Sequence, residues 1–525
     1  MPIVQQGAIN TTALIVPDLY VQIVPPQNLV LNGVPTNVVG MVGTASWGPV
    51  DQPVVLATMA DYAAAFGPLA NRKYDMGTHI ATAVQQGAGA FQCVRVSDGT
   101  DAAASYALFY TNTAYPMLLT ARYTGTLGNQ IAVLLGPAAQ PASWRLTLSL
   151  PGQAPEVFDN IAAPTPAAFW ANAVAAVNLG QGPTRGPSML VVATAGAATS
   201  TPPAALTVAQ YLLGGSDGAA GVTAATLVGV DTLPRTGMYA LRGQGCSVGL
   251  LADADDPTTW TTQASFGLQE GIYMILTGAL GDTIATAVST MQSAGLNSYG
   301  AKLMFGDWLW WSDPVNATTR LVSPQGFVAG RLGNLSPEQS SLNKQLYGVV
   351  GSQKSGTPGS GQASSYSSAE LQTLFQSGID VIANPQPGGA YWGVRCGHNT
   401  SSNPSINGDN YTRMTNYIAA TLSAGMGGYV GQVINATLFQ QIRATLLSYL
   451  QNLLGQGVLG PLDGSTLPFS VICDTSNNPQ SRTSLGYVQA DVQVQYQSIN
   501  EKFIVNVEGG QTVVVNVQTL PGGQA

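Results

Sequence analysis

The chain has 525 residues, enough for several domains, but charged side chains make up only 8% of it, against roughly 25% in typical soluble domains. Its 18 basic and 26 acidic residues give a net charge of −8, and no cluster of lysine and arginine forms a phosphate-binding surface, which argues against nucleic acid as a partner. No run of about 18 apolar residues predicts membrane insertion. A surface so poor in charge favours a subunit of an assembly over a solitary protein.

The first hundred residues predict an extended arm followed by the start of an α/β domain. The segment TALIVPDLYVQIVPP, at 12–26, is apolar and bounded by prolines, which exclude a helix and confine any strand to a sheet edge. The predicted elements that follow are a buried strand at 38–42, a helix between Thr58 and Gly67, a helix at 75–86 and a strand at 91–96. Their β-α-α-β order is typical of an α/β domain.

The sequence changes character at about residue 101. Short alternating strands separated by turn residues continue to about residue 222, with one helix predicted at 167–178. Strand and helix alternation then resumes through CSVGLLADADDP, DTIATAVSTMQSAG and AKLMFGDWLWW. We therefore predict a β-rich domain at 101–222 inserted into a discontinuous α/β domain formed by 27–100 and 223–385. Within the latter, a Ser/Gly-rich stretch at 352–370 is predicted to be a flexible linker or loop.

The last third of the chain predicts two helices within a domain at 386–485. The first spans 410–424, and the second can be capped by Asn435 and ends at Gly455. Six residues form the apolar stripe of the second helix, which we interpret as a core face: Leu438, Ile442, Leu446, Tyr449, Leu450 and Leu453.

The tail from residue 486 alternates like sheet strands. YVQADVQVQYQ places valines on one side and mostly glutamines on the other, and FIVNVEGGQTVVVNVQ predicts a hairpin around Gly509 and Gly510. A hairpin alone is marginal in water, and an edge strand without lysine or proline favours pairing. We predict that 1–26 and 486–525 are linking arms, and that part of this tail, with 14–23 as the other arm, completes a sheet shared between neighbouring subunits. The candidate arm residues are Leu14, Val16, Leu19, Val21, Ile23, Val488, Val492, Val494, Phe503, Val505, Val507, Val513 and Val515.

Histidines and cysteines give no catalytic or metal motif. The two histidines, His79 and His398, are too few and too isolated for a zinc site, and no nucleophile motif accompanies His398. No C-x-x-C pair occurs. Four separated cysteines are predicted to be buried free thiols in a protein folded in a reducing cytoplasm: Cys93, Cys246, Cys396 and Cys473.

The strongest enzyme-like feature is ADADDP, in which Asp253 and Asp255 follow an apolar strand. Carboxylates at that position in an α/β sheet often bind ligands or Mg²⁺. The simpler interpretation is that Asp256 caps a helix begun by Pro257, and that the other two are solvated turn residues. We predict no catalytic residue, metal site or cofactor, and keep an α/β enzyme with an acidic site at Asp253 and Asp255 as an alternative.

Several stretches, in one order along nearly the whole chain, resemble the sheath proteins of contractile phage tails. The segment VPDLYVQIVPP is similar to the family's N-terminal arm, and the helix pair before the tail is similar to the family's as well. Ser46 and Trp47 stand where the family carries a charged pair. The remaining similar blocks are VVGMVGTASWGPVDQPVVLATMADYAAAFG, GAGAFQCVRV, YTGTLGNQIAV, LLGGSDG, SPQGFVAGRLG and GIDVIANPQPGGAYWGVRC.

The resemblance implies an α/β multidomain fold with a discontinuous α/β core, an inserted β-rich domain facing outward, a C-terminal α+β domain near an inner tube, and extended terminal arms. Such a subunit would polymerise as a helical stack of hexameric rings around the inner tail tube protein, and would contract to drive the tube through the host envelope. Its other partners would be baseplate and tail terminator proteins. It would assemble in the bacterial cytoplasm and reside in the virion tail. The closest alternative is the sheath of a phage-derived bacteriocin or secretion injector.

Overall fold

The structure, a computed structural model, describes residues 31–110, 114–362, 364–460 and 466–507, together with the backbone of two short strands at 3–4 and 21–22. In these parts of the chain, no helix is both long enough and apolar enough to cross a bilayer.

The described strands, in chain order, are β1 (Ile3–Val4), β2 (Val21–Gln22), β3 (Val39–Gly43), β4 (Pro53–Leu56), β5 (Phe91–Arg95), β6 (Ser105–Leu108), β7 (Met117–Ala121), β8 (Ala132–Pro137), β9 (Ser143–Ser149), β10 (Glu156–Ala162), β11 (Val191–Ala195), β12 (Gln210–Tyr211), β13 (Val248–Leu251), β14 (Tyr273–Thr277), β15 (Ala301–Met304), β16 (Leu309–Asp313), β17 (Thr318–Val322), β18 (Val349–Ser352), β19 (Ile379–Asp380), β20 (Ile382–Ala383), β21 (Gly393–Val394), β22 (Phe469–Ile472) and β23 (Asp491–Val494). The helices are α1 (Met59–Phe66), α2 (Met76–Gln85), α3 (Pro166–Leu179), α4 (Ala224–Val228), α5 (Trp260–Glu270), α6 (Ile284–Ala294), α7 (Gln325–Asn334), α8 (Ser368–Gln376), α9 (Asp409–Gly425), α10 (Ala436–Gly455) and α11 (Gln480–Thr483).

A seven-stranded sheet in the order β19-β15-β14-β13-β3-β5-β4 forms the α/β core. All neighbouring strands run parallel except β4, which is antiparallel to β5. The central strands are buried on both faces, as is typical of parallel strands covered by helices. Along β13, Leu250 belongs to one apolar cluster and Leu251 to another, so the two clusters occupy opposite faces of the sheet. Strands before and after the predicted insertion therefore join in one sheet.

Local capping signals locate the first helices of this core. Thr58 accepts a hydrogen bond from the backbone N–H of Asp61, whose carboxylate accepts one from the N–H of Thr58, and the helix ends at Gly67. Asp75 caps α2 through the backbone N–H of Thr78. The predicted helices at 58–67 and 75–86 are confirmed.

Residues 105–211, between β5 and β13, form two antiparallel sheets and the helix α3. The sheets have the orders β11-β7-β6 and β10-β9-β8-β12, and α3 packs against β10 and β11. Apart from Trp47, every member of their apolar cluster comes from residues 104–212. Ala102 and Ser216 exchange two backbone hydrogen bonds of 3.0 Å, which bring the two ends of this segment together.

A fourth apolar cluster is organised by α9, α10 and the antiparallel pair β22–β23. Asn435 caps α10 by accepting from the N–H of Leu438, and the six predicted stripe residues are all buried. Leu31, far upstream in the chain, is a member of the same cluster. The prediction for this helix is confirmed.

The stretch predicted to be a flexible linker, 352–370, is instead packed where the structure describes it. Tyr366 donates to the buried carboxylate of Asp307 at 2.7 Å, and Lys354 lies 2.7 Å from Glu370. Ser367 caps α8. The stretch up to the cap of α8 is a loop, as the prediction allowed, but it is not a flexible linker. A buried carboxylate requires donors, and Tyr366 and the backbone N–H of Lys354 supply them to Asp307.

Candidate subunit interface and the junction behind it

The chain enters the folded body near Leu31 and leaves it near Gln497, and both places lie beside helix α9. On the N-terminal side, Leu31 is buried against Gly425, where an added methyl group would lie 1.9 Å from the Cδ2 atom of Leu31. The backbone N–H of Val34 donates to the hydroxyl of Thr421 at 3.3 Å. The lack of a side chain at Gly425 therefore lets the incoming N-terminal segment lie directly on α9.

On the C-terminal side, the chain runs along the opposite part of α9. Asn410 donates to the carbonyl of Gln497 at 2.9 Å, and the rings of Tyr411 and Tyr496 meet edge to face at 5.9 Å. The beginning of α9 thus holds the outgoing chain, and its end holds the incoming one.

Three predicted arm residues, Val488, Val492 and Val494, belong to the chain's own fold. All three are partly buried against the cluster around α9 and α10, and β23 pairs with β22 in the register Phe469 to Val494 through Ile472 to Asp491. The alternating pattern correctly predicts a strand with one apolar face. Its partner in the described chain is β22, in the same subunit. The part these residues play in a linking arm that starts at residue 486 stays a prediction.

Three further predicted arm residues, Phe503, Val505 and Val507, are exposed. Together with Ile504 they have exposed fractions between 63% and 86%, and the backbone of 501–507 forms no strand with any residue the structure describes. Four large apolar side chains exposed in five residues mark a contact surface. The turn at Gly509 and Gly510 and the candidates Val513 and Val515 lie outside the described residues.

Of the N-terminal candidates, Val21 is described at the backbone only, where Val21–Gln22 pairs in parallel with Ile3–Val4. Leu14, Val16, Leu19 and Ile23 lie outside the described residues. Their role in a shared sheet stays a prediction.

The β22–β23 pair offers edges for further strands. Among the described residues it is a two-stranded sheet, so each strand keeps one unpaired edge. Phe469 and Val471 face the apolar cluster, whereas Ser470 and Ile472 face outward. Because a two-stranded sheet has marginal stability on its own, added strands would stabilise it.

Behind this region, a buried ionic network joins the α/β sheet to α9. Lys302 on β15 lies 2.6 Å from Asp380 on β19 and 3.1 Å from Asp409 at the start of α9. The Asp409 carboxylate also accepts from the hydroxyl of Tyr273 at 2.7 Å and from the backbone N–H of Ser341 at 3.0 Å. The side chains of Lys302, Asp380 and Asp409 are at most 2% exposed, so each charge is stabilised by an opposite charge inside the protein and not by water.

Arg413, one turn further along α9, extends this junction. Its guanidinium donates to the carbonyls of Leu335 and Ser336 at 2.7 and 2.8 Å, which follow helix α7. It also lies 3.5 Å from the carbonyl of Thr36 in the incoming segment. One side chain therefore connects α9, the end of α7 and the N-terminal segment.

The electrostatics of the junction keep Lys302, Asp409 and Arg413 charged at neutral pH. Burial opposes the charged form of Lys302, but Asp380 and Asp409 outweigh it and raise the pKa of Lys302 above its ordinary value. Burial likewise opposes the charged form of Asp409, yet Lys302 and the hydrogen bonds from Ser341 and Tyr273 lower the pKa of Asp409 to about 2. Burial lowers the pKa of Arg413 to about 10. The junction is a fixed set of paired charges.

The acidic turn after β13 differs from its prediction at one residue. Asp256 caps the turn that begins at Pro257, as expected, and Asp255 pairs with Lys73 at 2.9 Å. Asp253, predicted to be a solvated turn residue, is 6% exposed and lies 3.0 Å from Nε2 of His79. That part of the prediction was wrong because His79, 174 residues away in sequence, lies beside Asp253 in the fold.

The burial of Asp253 bears on the enzyme alternative. Burial opposes the charged form of Asp253, but His79 and hydrogen bonds from Ser323 and Tyr74 lower its pKa. In the described parts of the chain, no group of three or more His, Cys, Asp or Glu side chains is arranged to hold a metal ion. The carboxylate is thus occupied by protein donors and is a structural group.

The four cysteines are free thiols, as predicted. Cys93, Cys246 and Cys473 are buried, and Cys396 is partly buried. Burial raises the pKa of Cys246 to about 12 and that of Cys93 further still, so both remain protonated at neutral pH.

No protein-family model matches the chain, and no curated protein matches its sequence. Solved structures match its fold over most of their length. A sheath tail protein from Desulfitobacterium hafniense is 14% identical, with a TM-score of 0.56 over 87% of this chain and 94% of that one. A sheath tail protein from Listeria innocua is 14% identical, with a TM-score of 0.58 over 85% and 90%. The contracted sheath of an extracellular contractile injection system, PVC, is 12% identical, with a TM-score of 0.53 over 94% and 98%.

These similarities define the class of fold: a mixed α/β multidomain fold of the contractile-sheath type. Within that class, the chain resembles both sheath tail proteins and the sheath of an injection system. The resemblance read from the sequence blocks is confirmed at the level of the fold.

The residues that sequence reasoning missed are those of the ionic network. One signal was available, because Lys302 and Asp380 each interrupt an otherwise apolar strand, in AKLM and GIDVI. Lysine and aspartate are almost never fully buried unless paired, so their positions in buried strands predict a partner. Lys302 and Asp380 are partners of each other, and the third member of the network, Asp409, joins them through the packing of α9. No local sequence pattern identifies Asp409.

Proposed function

We propose that the chain is the structural subunit of a contractile tail sheath, which polymerises helically around an inner tube and contracts to drive that tube through a host envelope. The observation that carries the proposal is the shared fold, which extends over at least 85% of this chain and 90% of the sheath proteins compared with it. Its inferred partners are further copies of itself in stacked hexameric rings, the tube protein, and baseplate and terminator proteins. We infer assembly in the bacterial cytoplasm and residence in the virion tail.

The exposed apolar residues Phe503–Val507 support this function. They follow directly on a two-stranded sheet with open edges, and in a helical array the same sheet of a neighbouring subunit would accept them. Strand addition supplies main-chain hydrogen bonds and pockets for alternate side chains. Contacts between different surfaces of identical subunits, which do not close on themselves, generate filaments.

The buried ionic network supports movement of the subunit as a rigid body. Separating α9 from the sheet would break the buried contact between Asp409 and Lys302, although Lys302 and Asp380 would stay paired on their neighbouring strands; breaking a buried contact of this kind costs several kcal/mol. A subunit that rotates during contraction would therefore bend in its arms and keep this junction intact.

Electron microscopy of the purified full-length chain tests the proposal. We expect tubes or stacked rings in negative stain at concentrations in the micromolar range or above, with a hollow centre of constant diameter. A protein that stays monomeric under all conditions, including in the presence of its tube protein, would contradict the proposal. The sheath of a phage-derived injector would form similar tubes, and neighbouring genes for a capsid and terminase would separate it from a phage tail.

A further inference from the structure

The last described part of the chain, which we call the tail segment (residues 497–507), lies across the junction between the C-terminal domain and the α/β core. It starts at Gln497, whose side chain donates to the carbonyl of Gly457 at 2.9 Å and whose carbonyl accepts from Asn410. Further on, Ile499 and Phe503 line a surface cavity together with residues 339–344. The segment therefore crosses from one domain of its own subunit to the other.

One side-chain contact holds the tail segment near its middle. The carboxylate of Glu501 lies 2.7 Å from Nε2 of His398. The histidine is itself fixed, because its carbonyl accepts from Lys302 of the ionic network at 3.1 Å and its Nδ1 lies 3.3 Å from the side-chain amide of Asn407. The side chains of His398 and Glu501 are 22% and 38% exposed, so the pair is open to solvent and exchanges easily.

The backbone of the tail segment is otherwise unpaired. From Ser498 to Val507, neither N–H nor carbonyl groups form a hydrogen bond with any residue that the structure describes. Glu501 is the last residue anchored by a polar side chain to the described body. Beyond it come the exposed residues Phe503–Val507. The segment thus combines a side-chain anchor with backbone groups that remain available for a strand partner.

We propose that the contact between His398 and Glu501 is a latch that holds the tail segment against its own subunit. This contact must break before the tail segment can pair with a neighbouring subunit. The inference rests on the proposed sheath function. A tail held in this way keeps free subunits from joining in solution, and a neighbouring sheet that offers a full set of backbone hydrogen bonds displaces the single side-chain contact. The latch therefore favours growth at an existing sheath end over spontaneous polymerisation.

A matched pair of substitutions tests the latch by its effect on the rate. Glu501→Gln removes the charge that faces His398, and Asp159→Asn removes the charge from a comparably exposed pair, Arg145–Asp159, in the inserted β-rich segment. We expect Glu501→Gln to shorten the lag of tube formation several-fold in light scattering, and Asp159→Asn to behave like the wild type. An unchanged or longer lag in Glu501→Gln would overturn the proposal.

A reversible cross-link tests whether the tail segment must separate from its own subunit before that subunit can assemble. In a Cys396→Ser background, the double variant His398→Cys and Glu501→Cys is joined by a short bis-maleimide with a cleavable disulfide spacer. Linked chains, identified by peptide mass, should fail to add to tubes until reductant cleaves the spacer. If linked and cleaved chains assemble equally well, the latch is excluded while the sheath function stands. If neither the cleaved variant nor the wild type forms tubes, the sheath function fails and the latch with it.

Discussion

Lys302 is the residue on which the ionic network depends. It is fully buried between two carboxylates, so replacing it with methionine leaves Asp380 and Asp409 as uncompensated charges. Breaking one partner of a buried pair costs roughly 3–5 kcal/mol. We expect Lys302→Met to lower the free energy of unfolding, measured by urea denaturation followed by circular dichroism, by an amount in that range.

Lys73→Met is the matched control for this change. Lys73 pairs with Asp255 on the surface and is 47% exposed, and exposed pairs contribute about 0–1 kcal/mol. A destabilisation by Lys302→Met no larger than that of the control would contradict the role assigned to the network.

The acidic turn after β13 gives a second test at the residue scale. Asp253 is buried against His79, whereas Asp255 is paired at the surface. Asp253→Ala should therefore destabilise the chain by roughly 1–3 kcal/mol, because it leaves buried donors without an acceptor. Asp255→Asn should change stability by less than about 1 kcal/mol and leave tube formation intact.

Thermal unfolding of the two variants, together with metal analysis of the purified protein, checks this expectation. Equal effects of the two substitutions would show that Asp253 is not the structural group described above. A stoichiometric divalent ion lost in either variant would instead restore the enzyme alternative.

At the scale of elements, the sequence predicts helices and strands correctly where the pattern that specifies them is local. The ends of α10 are readable because Asn435 provides a cap and the apolar stripe repeats with helical spacing. The pattern of Val488, Val492 and Val494 predicts a strand and its buried face. It does not predict the edge partner, because alternation specifies faces, and the choice of β22 depends on how α10 positions that strand.

Two deletions separate the part of the tail that belongs to the fold from the part available for linking. Removing 503–525 takes away only exposed residues of the described chain and leaves β23 and Glu501 in place, so thermal unfolding should match the wild type while no tubes form. Removing 487–525 deletes β23 and uncovers Phe469 and Val471. We expect it to destabilise the C-terminal domain by roughly 1 kcal/mol or more for each apolar side chain exposed.

Differential scanning calorimetry with sedimentation of the assembled fraction measures both effects. Tubes formed by the 503–525 deletion at wild-type concentration would exclude this segment as the linking arm. Equal stability of the two deletions would show that β23 contributes nothing to the chain's own core.

At the scale of the whole molecule, the inserted β-rich segment, residues 103–215, has its own apolar core. Ala102 and Ser216 are hydrogen-bonded neighbours, so residues 103–215 can be replaced by a short Gly/Ser bridge without moving either end. We expect the shortened chain to unfold cooperatively on circular dichroism and still to polymerise. Loss of secondary structure beyond that of the excised part would show that the segment belongs to the main core.

Trp47 provides the control for this excision. It is the one member of the inserted segment's cluster that lies outside 104–212, and it packs edge to face on Tyr123 at 5.5 Å. Excision exposes its ring, so the shortened chain should be prepared both with Trp47 and with Trp47→Ser. Aggregation confined to the first version would reflect the exposed ring and not a misfolded core.

The order of sequence blocks predicted the class of fold, whereas the junction between domains had no local pattern. The blocks are readable because each is a contiguous strand, turn or helix. Lys302 and Asp380 meet when their strands, far apart in sequence, become neighbours in the sheet, and Asp409 joins them only after α9 docks on it. Contacts of this kind depend on tertiary packing, which a single sequence does not encode in any spacing.

The most direct test of the central claim is a helical reconstruction by electron cryo-microscopy of tubes grown from the full-length chain. We predict that Phe503–Val507 forms a strand paired with the β22–β23 sheet of a neighbouring subunit, with Lys302, Asp380 and Asp409 still in contact within each subunit. Tubes in which these residues remain on their own subunit, or in which α9 has separated from the sheet, would contradict the account.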